Sequence, residues 1–203
     1  MNTNTVKQTD SAVEGVVRPA LVLFLLLTIV TGILYPLVVT GIAQKAFPVA
    51  ANGSLITRGD KVVGSQLIGQ AFSSPRYFWS RLSATSPMAY NAAASSGSNL
   101  GPLNPALAKA VQDRVDALRA ADPGNTAAVP IDLATSSASG LDPHISVAAA
   151  NYQAGRVARE RNLPLATVQG LIVKHTEGMW LQWLGEARVN VLELNLDLDV
   201  AAP

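Results

Sequence analysis

A long apolar run near the N-terminus is the strongest pattern along the chain. Residues 19–44 carry no charged side chain, and Arg18 and Lys45 bracket them. These 26 uncharged residues exceed the roughly 20 that an α-helix needs to cross the hydrocarbon of a bilayer. The pattern therefore predicts a flank over 1–18, a transmembrane helix over 19–44 and an extramembrane domain over 46–203.

A cleaved signal peptide is the alternative interpretation of this run, with Val49-Ala50-Ala51 as its cleavage site. The apolar part of a signal peptide is about 7–15 residues long, so the length of this run favours an uncleaved helix. Basic residues nearly balance across the run, which leaves the charge rule for orientation close to a tie. Because Arg18 directly abuts the run, as in a signal anchor, we expect a cytoplasmic N-terminus and an exported domain.

Two features inside the run concern its packing. Thr28 and Gly32 form a small-xxx-small pair, which lets a neighbouring helix approach closely, so both are candidate contacts with a partner helix. Pro36 also lies inside the run and is expected to kink the helix or mark its end.

The next part of the chain alternates short apolar runs with turn residues. Residues 54–56 and 61–72 are separated by Thr-Arg-Gly-Asp, which predicts a β-hairpin. The sequence RYFWSR at 76–81 predicts a further short strand. Residues 83–104 are rich in Ala, Ser, Gly, Asn and Pro, so we expect a long loop of the kind that often serves function or partner binding.

The C-terminal half carries helix signals and one alternating segment. Asn-Pro at 104–105 and Asp-Pro at 142–143 combine a capping residue with a proline that suits a first helical position. They predict helices ending near 122–125 and Asn162, and a third helix is expected from Pro164 to about Gly178. Leucines alternate with polar residues over 188–198, which predicts a half-buried strand.

Together these elements predict an α+β fold. It has one N-terminal transmembrane helix followed by a single domain with a small mixed or antiparallel sheet and about three helices.

Composition narrows the classes of function. The chain has 203 residues and a net charge of +1, which gives no electrostatic reason to expect a nucleic-acid partner. The absence of cysteine excludes disulfides, thiolate nucleophiles and thiolate metal sites.

The sequence carries few of the residue patterns that indicate a catalytic site. The sequence contains neither the H-E-x-x-H nor the G-x-S-x-G motif, and its two histidines are His144 and His175. One enzymatic alternative remains, a membrane-anchored extracytoplasmic hydrolase in which Asp142 orients His144 and Ser137 or Ser139 is the nucleophile. We otherwise predict neither catalytic residues nor a metal site.

The stretch GSQLIGQAF, residues 64–72, resembles half of a phosphate-binding loop. Gly64 and Gly69 have its spacing, but Gln70 and Ala71 stand where the loop needs Lys and Ser or Thr. No helix is predicted after Phe72 to offer its N-terminal amides. We therefore interpret the stretch as a strand whose glycines permit a close approach of neighbouring groups.

Six blocks of sequence closely resemble the C subunit of the Kdp potassium-transporting ATPase, in order and in spacing. They are GSQLIGQAF, YFWSRLSA, SGSNLGPLNPAL, TSSASGLDPHIS, AANYQAGRVARERNL and VNVLELNLDLD. The resemblance runs from about Arg18 onward. Two departures are Leu82, where the family usually has Pro, and Ala138, where Gly is common.

The resemblance implies an accessory subunit of a pump in the bacterial plasma (inner) membrane, and not the ATPase itself. Its implied partners are a potassium-translocating subunit, a P-type ATPase subunit and a small helical membrane subunit. The family has been regarded as an assembly factor, and as a catalytic chaperone that raises the ATP affinity of the ATPase subunit in a transient ternary complex.

The resemblance also suggests candidate residues. For nucleotide they are Gln70 and Gln153, with ATP as a ligand that is not held tightly. The residues themselves suggest candidates for partner contact in the domain: Ser98 and Asn99 in the long loop, and Arg156 and Arg159 in a basic run that is either a docking surface for an acidic partner or a solvated face.

Overall fold

The computed structural model describes residues 4–179, 181 and 183–202, and side chains from Gly15 onward. Residues 1–3 of the predicted flank lie outside the described residues. The chain divides into two compact units, Met1–Gly53 and Ser54–Pro203, and each is described by itself.

The first unit is a long helix with one irregular turn. Helix α1 covers Asn4–Ile29, a π-helical turn covers Val30–Leu34, α2 covers Tyr35–Ala46, and the short α3 covers Pro48–Ala51. The part over Gly15–Ala46 has a mean hydropathy of 2.6 and is long and apolar enough to cross a membrane. Its large apolar side chains are exposed, as a surface that faces lipid or partner helices requires.

Pro36 accounts for the irregular turn. Proline has no backbone N–H, so the carbonyl of Gly32 loses the donor that a regular helix would supply. The π-helical turn over Val30–Leu34 lies directly before this position, and the helix continues beyond it to Ala46. The irregularity is therefore local, and the helix does not end at Pro36.

The second unit combines two small antiparallel sheets with helices. Strands β1 (Leu55–Arg58) and β2 (Lys61–Ser65) form a hairpin. Strands β3 (His144–Ser146), β4 (Thr176–Glu177) and β5 (Arg188–Asn190) form a sheet in the order β3-β5-β4. The helices are α4 (Pro105–Ala121), α5 (Ile131–Ala134), α6 (Val147–Arg161), α7 (Leu165–Lys174) and α8 (Val191–Ala201). The predicted α+β class is confirmed.

The hairpin is confirmed, but its second strand is shorter than predicted. It ends at Ser65, and the chain then turns at Ile68, whose backbone N–H donates to the Ser65 carbonyl at 3.3 Å. Only the first two residues of GSQLIGQAF are therefore in a strand.

The strand predicted at 76–81 is wrong. Phe78, Trp79 and Ser80 are buried, yet in the described chain no residue of 76–81 pairs with a strand, and the nearest bridge joins Leu82 to Ser136. The apolar residues there mark a buried, extended segment whose backbone is bound by side chains.

The helix predicted from Asp142 begins later. The Asp142 carboxylate accepts a hydrogen bond from the His144 N–H at 3.0 Å, which forms a local turn. Strand β3 follows, and α6 starts at Val147 with Ser146 as its N-cap. It ends at Asn162 in the left-handed conformation, as the sequence predicted for its C-terminus.

The strand predicted over 188–198 is wrong beyond Asn190. Asn190 caps α8 by accepting a hydrogen bond from the Glu193 N–H. On that helix Val191, Leu194, Asn195 and Leu198 are buried, which is the helical spacing of one face. Alternating leucines are compatible with the two-residue period of a strand and also with the 3.6-residue period of a helix. Here the Asn190 cap and the burial of one helical face favour the helix.

All five helices of this unit and the three-stranded sheet contribute to the core. Its fully buried apolar residues come from the 78–79 segment, from α4 to α8 and from β3 and β5: Phe78, Leu118, Leu133, Ile145, Val157, Val168, Ile172, Val189, Leu194 and Leu198. Helix α4 begins at the predicted Asn104 cap, whose side chain accepts from the Ala106 N–H.

Candidate functional site

The segment 75–80, of which residues 78–80 are buried, is held by amide side chains from two helices. The Asn195 amide on α8 accepts from the Phe78 N–H at 2.9 Å and donates to the Phe78 carbonyl at 3.0 Å. The Gln153 amide on α6 accepts from the Trp79 N–H at 2.8 Å and donates to the Trp79 carbonyl at 3.1 Å. Two consecutive residues thus have both backbone groups satisfied without a neighbouring strand.

Arginines bind the other carbonyls of this segment. Arg156 donates to the carbonyls of Pro75 and Tyr77 and to Gln153 Oε1, the last at 2.8 Å. Arg114 on α4 donates to the Ser80 carbonyl at 2.8 Å. Both guanidinium carbons lie 5.0 Å from the centroid of the Trp79 ring, a distance at which cation and ring attract.

Burial has a cost for the charge on Arg156. Its side chain is 2% exposed, and desolvation lowers the pKa of Arg156 to about 10, so the group stays protonated at neutral pH. The carbonyls, Gln153 and the ring of Trp79 replace the water that it gives up.

Arg161 performs a similar role at the C-terminus of α8. It donates to the carbonyl of Arg76 at 2.7 Å, to the carbonyls of Leu198 and Ala202, and to Asp199 Oδ1 at 2.8 Å. We define the side chains of Arg114, Gln153, Arg156, Arg161 and Asn195 as the polar clamp on the segment 75–80.

This clamp changes how two candidate residues are understood. Gln153 is 1% exposed and its amide is engaged at both ends, and Arg156 is equally buried. Nucleotide or partner contact at either residue stays a prediction, and it would require the clamp to open. Arg159 differs, because its side chain is 63% exposed and pairs with the buried carboxylate of Asp122.

The glycines of GSQLIGQAF lie against close neighbours. A Cβ added at Gly64 would meet the Gln70 amide and the Leu192 side chain at 2.5 Å. One added at Gly69 would meet the Asp142 carbonyl at 2.7 Å and the Tyr90 ring. Both glycines therefore permit the close approach of neighbouring groups that the sequence predicted. Gly64 does so within β2, whereas Gly69 lies outside any strand.

Gln70 is half-buried beside a cavity of about 350 Å³. Its Nε2 donates to the Val63 carbonyl at 2.7 Å, and its own carbonyl accepts from Ser80 Oγ at 2.9 Å. These bonds fasten the turn to the hairpin and to the clamped segment. A nucleotide contact at Gln70 stays a prediction.

Asp142 and His144 line a separate cavity of about 300 Å³ together with Arg81. His144 Nδ1 lies 3.5 Å from Asp142 Oδ1, and Arg81 donates to Asp142 Oδ2 at 3.0 Å. Burial raises the pKa of Asp142, but the hydrogen bonds from His144 and Arg81 outweigh it and hold that pKa below its usual value.

The hydrolase alternative also needs a serine at this cavity. Ser137 is buried, and its backbone N–H binds the Leu82 carbonyl. Ser139 Oγ accepts from the Leu141 N–H at 3.1 Å. Among the hydrogen bonds of the described residues, none joins a serine hydroxyl to His144.

His175 connects α7 to α8. Its Nε2 lies 2.8 Å from Asp197 Oδ2, and Lys174 donates to the same oxygen. The hydrogen bonds from Lys174 and His175 lower the pKa of Asp197.

The predicted long loop over 83–104 is confirmed apart from a short 3-10 turn at Ala92–Ala94. Ser83 Oγ donates to the Gly140 carbonyl at 2.7 Å, and Ser95 Oγ donates to the Ser139 carbonyl at 3.0 Å. The loop therefore lies against the 138–140 turn. Its candidates Ser98 and Asn99 are exposed, with Asn99 at φ 50°.

Thr28 and Gly32, the small-xxx-small pair of the apolar helix, are both exposed. Thr28 is exposed and donates its hydroxyl to the Phe24 carbonyl at 2.7 Å. A Cβ at Gly32 would meet only Thr28, at 4.0 Å. The groove between them is open to a second helix, and contact there stays a prediction.

Sequence reasoning missed Asn195 and Arg114. Asn195 lay on the outer face of a predicted strand, but a helical period from Val191 places it on the buried face. Arg114 shares the helical spacing of Val111 and Leu118 on α4, a position where a charged residue indicates a buried partner.

Similarity to known proteins supports the resemblance noted above. Residues 17–200 match a family model described as KdpC, K+-transporting ATPase, c chain. A "Potassium-transporting ATPase KdpC subunit" of Polaromonas naphthalenivorans (strain CJ2) is 66% identical over 190 residues, which is 94% of this chain and 97% of that protein. A protein of the same name from Variovorax paradoxus (strain S110) is 63% identical over 93% of this chain and 98% of its own.

Proposed function

Because the chain belongs to the KdpC family, the c chains of K+-transporting ATPases, we propose that it is a non-catalytic subunit that assembles and stabilises the pump. In this proposal it also raises the ATP affinity of the P-type ATPase subunit. The other partners are the potassium-translocating subunit and a small helical membrane subunit.

The polar clamp is the observation that carries this proposal. All five of its members are buried or half-buried side chains that bind backbone atoms of one segment. An enzyme also needs convergent reactive groups at a cleft; Asp142 and His144 line one, but among the hydrogen bonds of the described residues none joins a serine hydroxyl to His144. A domain whose interior polar groups stabilise its own backbone suits a rigid docking module.

We place the domain on the extracytoplasmic side of the bacterial inner membrane, where it covers the potassium-uptake face of the pump. Arg18 at the start of the apolar run supports this orientation. The exposed loop 83–104 and Arg159 supply contact surfaces in the domain. Thr28 and Gly32 supply a helix contact in the membrane.

This orientation separates the domain from ATP, which is cytoplasmic. The effect on ATP affinity is then a coupling free energy that passes through the partner subunits, not a contact made by Gln70 or Gln153. Such coupling is reciprocal, so ATP also tightens the association of this chain with the pump by the same factor.

Reporter fusions test the orientation. Alkaline phosphatase and a cytoplasm-specific fluorescent protein are each fused after Asn52 and after Ala202 of the full chain. We expect active phosphatase and no fluorescence at both sites. Fluorescence without phosphatase activity would overturn the outer placement and would make direct contact with ATP the better explanation.

A further inference from the structure

The connection between β4 and β5 exposes a cluster of large apolar side chains. Met179, Leu181, Trp183 and Leu184 are between 46% and 73% exposed. Single exposed apolar residues are ordinary, but four within six positions indicate a surface that another apolar phase covers.

Charges are absent from this connection and collect at its base. Residues 178–185 carry none. Glu177 and Arg188 face each other in the strand register, and their side chains form an ion pair at 2.8 Å. A segment that lies at the level of the lipid headgroups needs an apolar tip to enter the bilayer and charged residues at its base to stay in the polar layer. This connection has both.

The chain keeps this domain close to a bilayer. Lys45 is the first charge after the apolar run, and β1 begins at Leu55, ten residues later. Ten residues span at most about 35 Å. This limit holds on either side of the membrane, so it does not depend on the proposed orientation.

From these observations we propose that the tip, defined by Met179, Leu181, Trp183 and Leu184, inserts into the interfacial layer of the lipid bilayer as a second membrane contact of the chain. Tryptophan is enriched at this depth because its ring is apolar while its N–H reaches water or headgroups. We take a lipid surface as the occupant because the short connection to the membrane-spanning run keeps the domain near a bilayer. The described side chains of the tip are all apolar.

Single-cysteine labelling tests the proposal, because the natural chain has no cysteine. The full-length Leu181→Cys variant carries an environment-sensitive fluorophore in nanodiscs of phosphatidylethanolamine and phosphatidylglycerol, which leave both faces open. Quenching by headgroup-level nitroxide lipids is compared with quenching by aqueous iodide. The matched control is Lys109→Cys on α4, whose side chain is 75% exposed.

We expect the probe at 181 to be quenched severalfold more by nitroxide lipid than the probe at 109, and severalfold less by iodide. Adding Trp183→Ser should reverse most of that difference with unchanged circular dichroism. Equal iodide quenching at both sites would overturn the proposal. So would shielding that appears only when the other pump subunits are present, since this would indicate a protein partner.

A fourth outcome also counts against it. If the Trp183→Ser form is quenched by lipid as strongly as its parent, the fluorophore and not the tip enters the bilayer.

Discussion

Gln153 and Trp79 are joined by two hydrogen bonds that take the place of a β-ladder. The Trp79 N–H donates to Gln153 Oε1 at 2.8 Å, and Gln153 Nε2 donates to the Trp79 carbonyl at 3.1 Å. The same Oε1 accepts from Arg156, so one amide satisfies a buried backbone and a buried cation together.

Gln153→Leu should therefore destabilise the domain strongly. Each buried polar group that loses its partner costs about 1–3 kcal/mol, and we expect a loss of roughly 3 kcal/mol in the free energy of unfolding. Chemical denaturation of the full chain in detergent, followed by tryptophan fluorescence, measures it.

The matched control is Gln169→Leu on α7, where the side chain is exposed. It should shift the free energy of unfolding by no more than about 0.5 kcal/mol. Equal effects of the two substitutions would show that the amide of Gln153 has no structural role.

Gly69→Ala tests the close approach inside GSQLIGQAF. The added Cβ would lie 2.7 Å from the backbone carbonyl of Asp142, which cannot move away without displacing its turn. We expect a loss of about 1–3 kcal/mol, the usual cost of overpacking. Thermal unfolding of the purified chain measures it.

The same substitution at Gly170 should have the opposite sign. That glycine is helical with nothing within 4 Å of an added Cβ, and alanine favours helix by about 0.5–1 kcal/mol. A stabilising Gly69→Ala would contradict the packing seen here.

Asp197 should contribute to acid sensitivity. The hydrogen bonds from Lys174 and His175 lower its pKa in the folded state below the ordinary value of 3.8. The unfolded state then binds more protons, so this contribution is present above the ordinary pKa and is lost as pH falls through the lower folded pKa.

Asp197→Asn should consequently flatten the acid side of a plot of unfolding free energy against pH. Lys174→Met removes the hydrogen bond that Lys174 donates to Asp197, so it should also flatten the acid side of this plot. An unchanged acid slope in both variants would mean that Asp142 and other carboxylates carry the effect.

The sequence located some elements and missed others for identifiable reasons. Local signals were sufficient for α4, where Asn104 and Pro105 act within one turn. They misled at Asp142, because an aspartate before proline also forms a turn leading into a strand. At α8 the alternating leucines are compatible with the period of a strand and with that of a helix, so the local pattern could not decide between them.

The clamp was beyond local reasoning. Gln153 lies 74 positions from Trp79, and Asn195 lies 117 positions from Phe78. No pattern within a window of sequence indicates such partners. Residues 76–81 were therefore predicted as a strand, because a strand and a clamped segment share buried apolar residues and an extended backbone.

Gly32→Leu tests the proposed helix contact. A leucine would fill the groove beside Thr28 and hold a partner helix away, so less of this chain should co-purify with the pump. Gly41→Leu is the control elsewhere in the same helix, where an added Cβ also has nothing within 4 Å. Equal recovery of the complex with both variants would remove Thr28 and Gly32 from the interface.

The most direct test of the central claim measures two affinities in one system. The dissociation constant of ATP is determined for the pump with and without this chain, and that of the chain for the pump with and without ATP. We predict that the chain tightens ATP binding and that ATP tightens binding of the chain by the same factor. An ATP affinity that is identical with and without the chain would contradict the account.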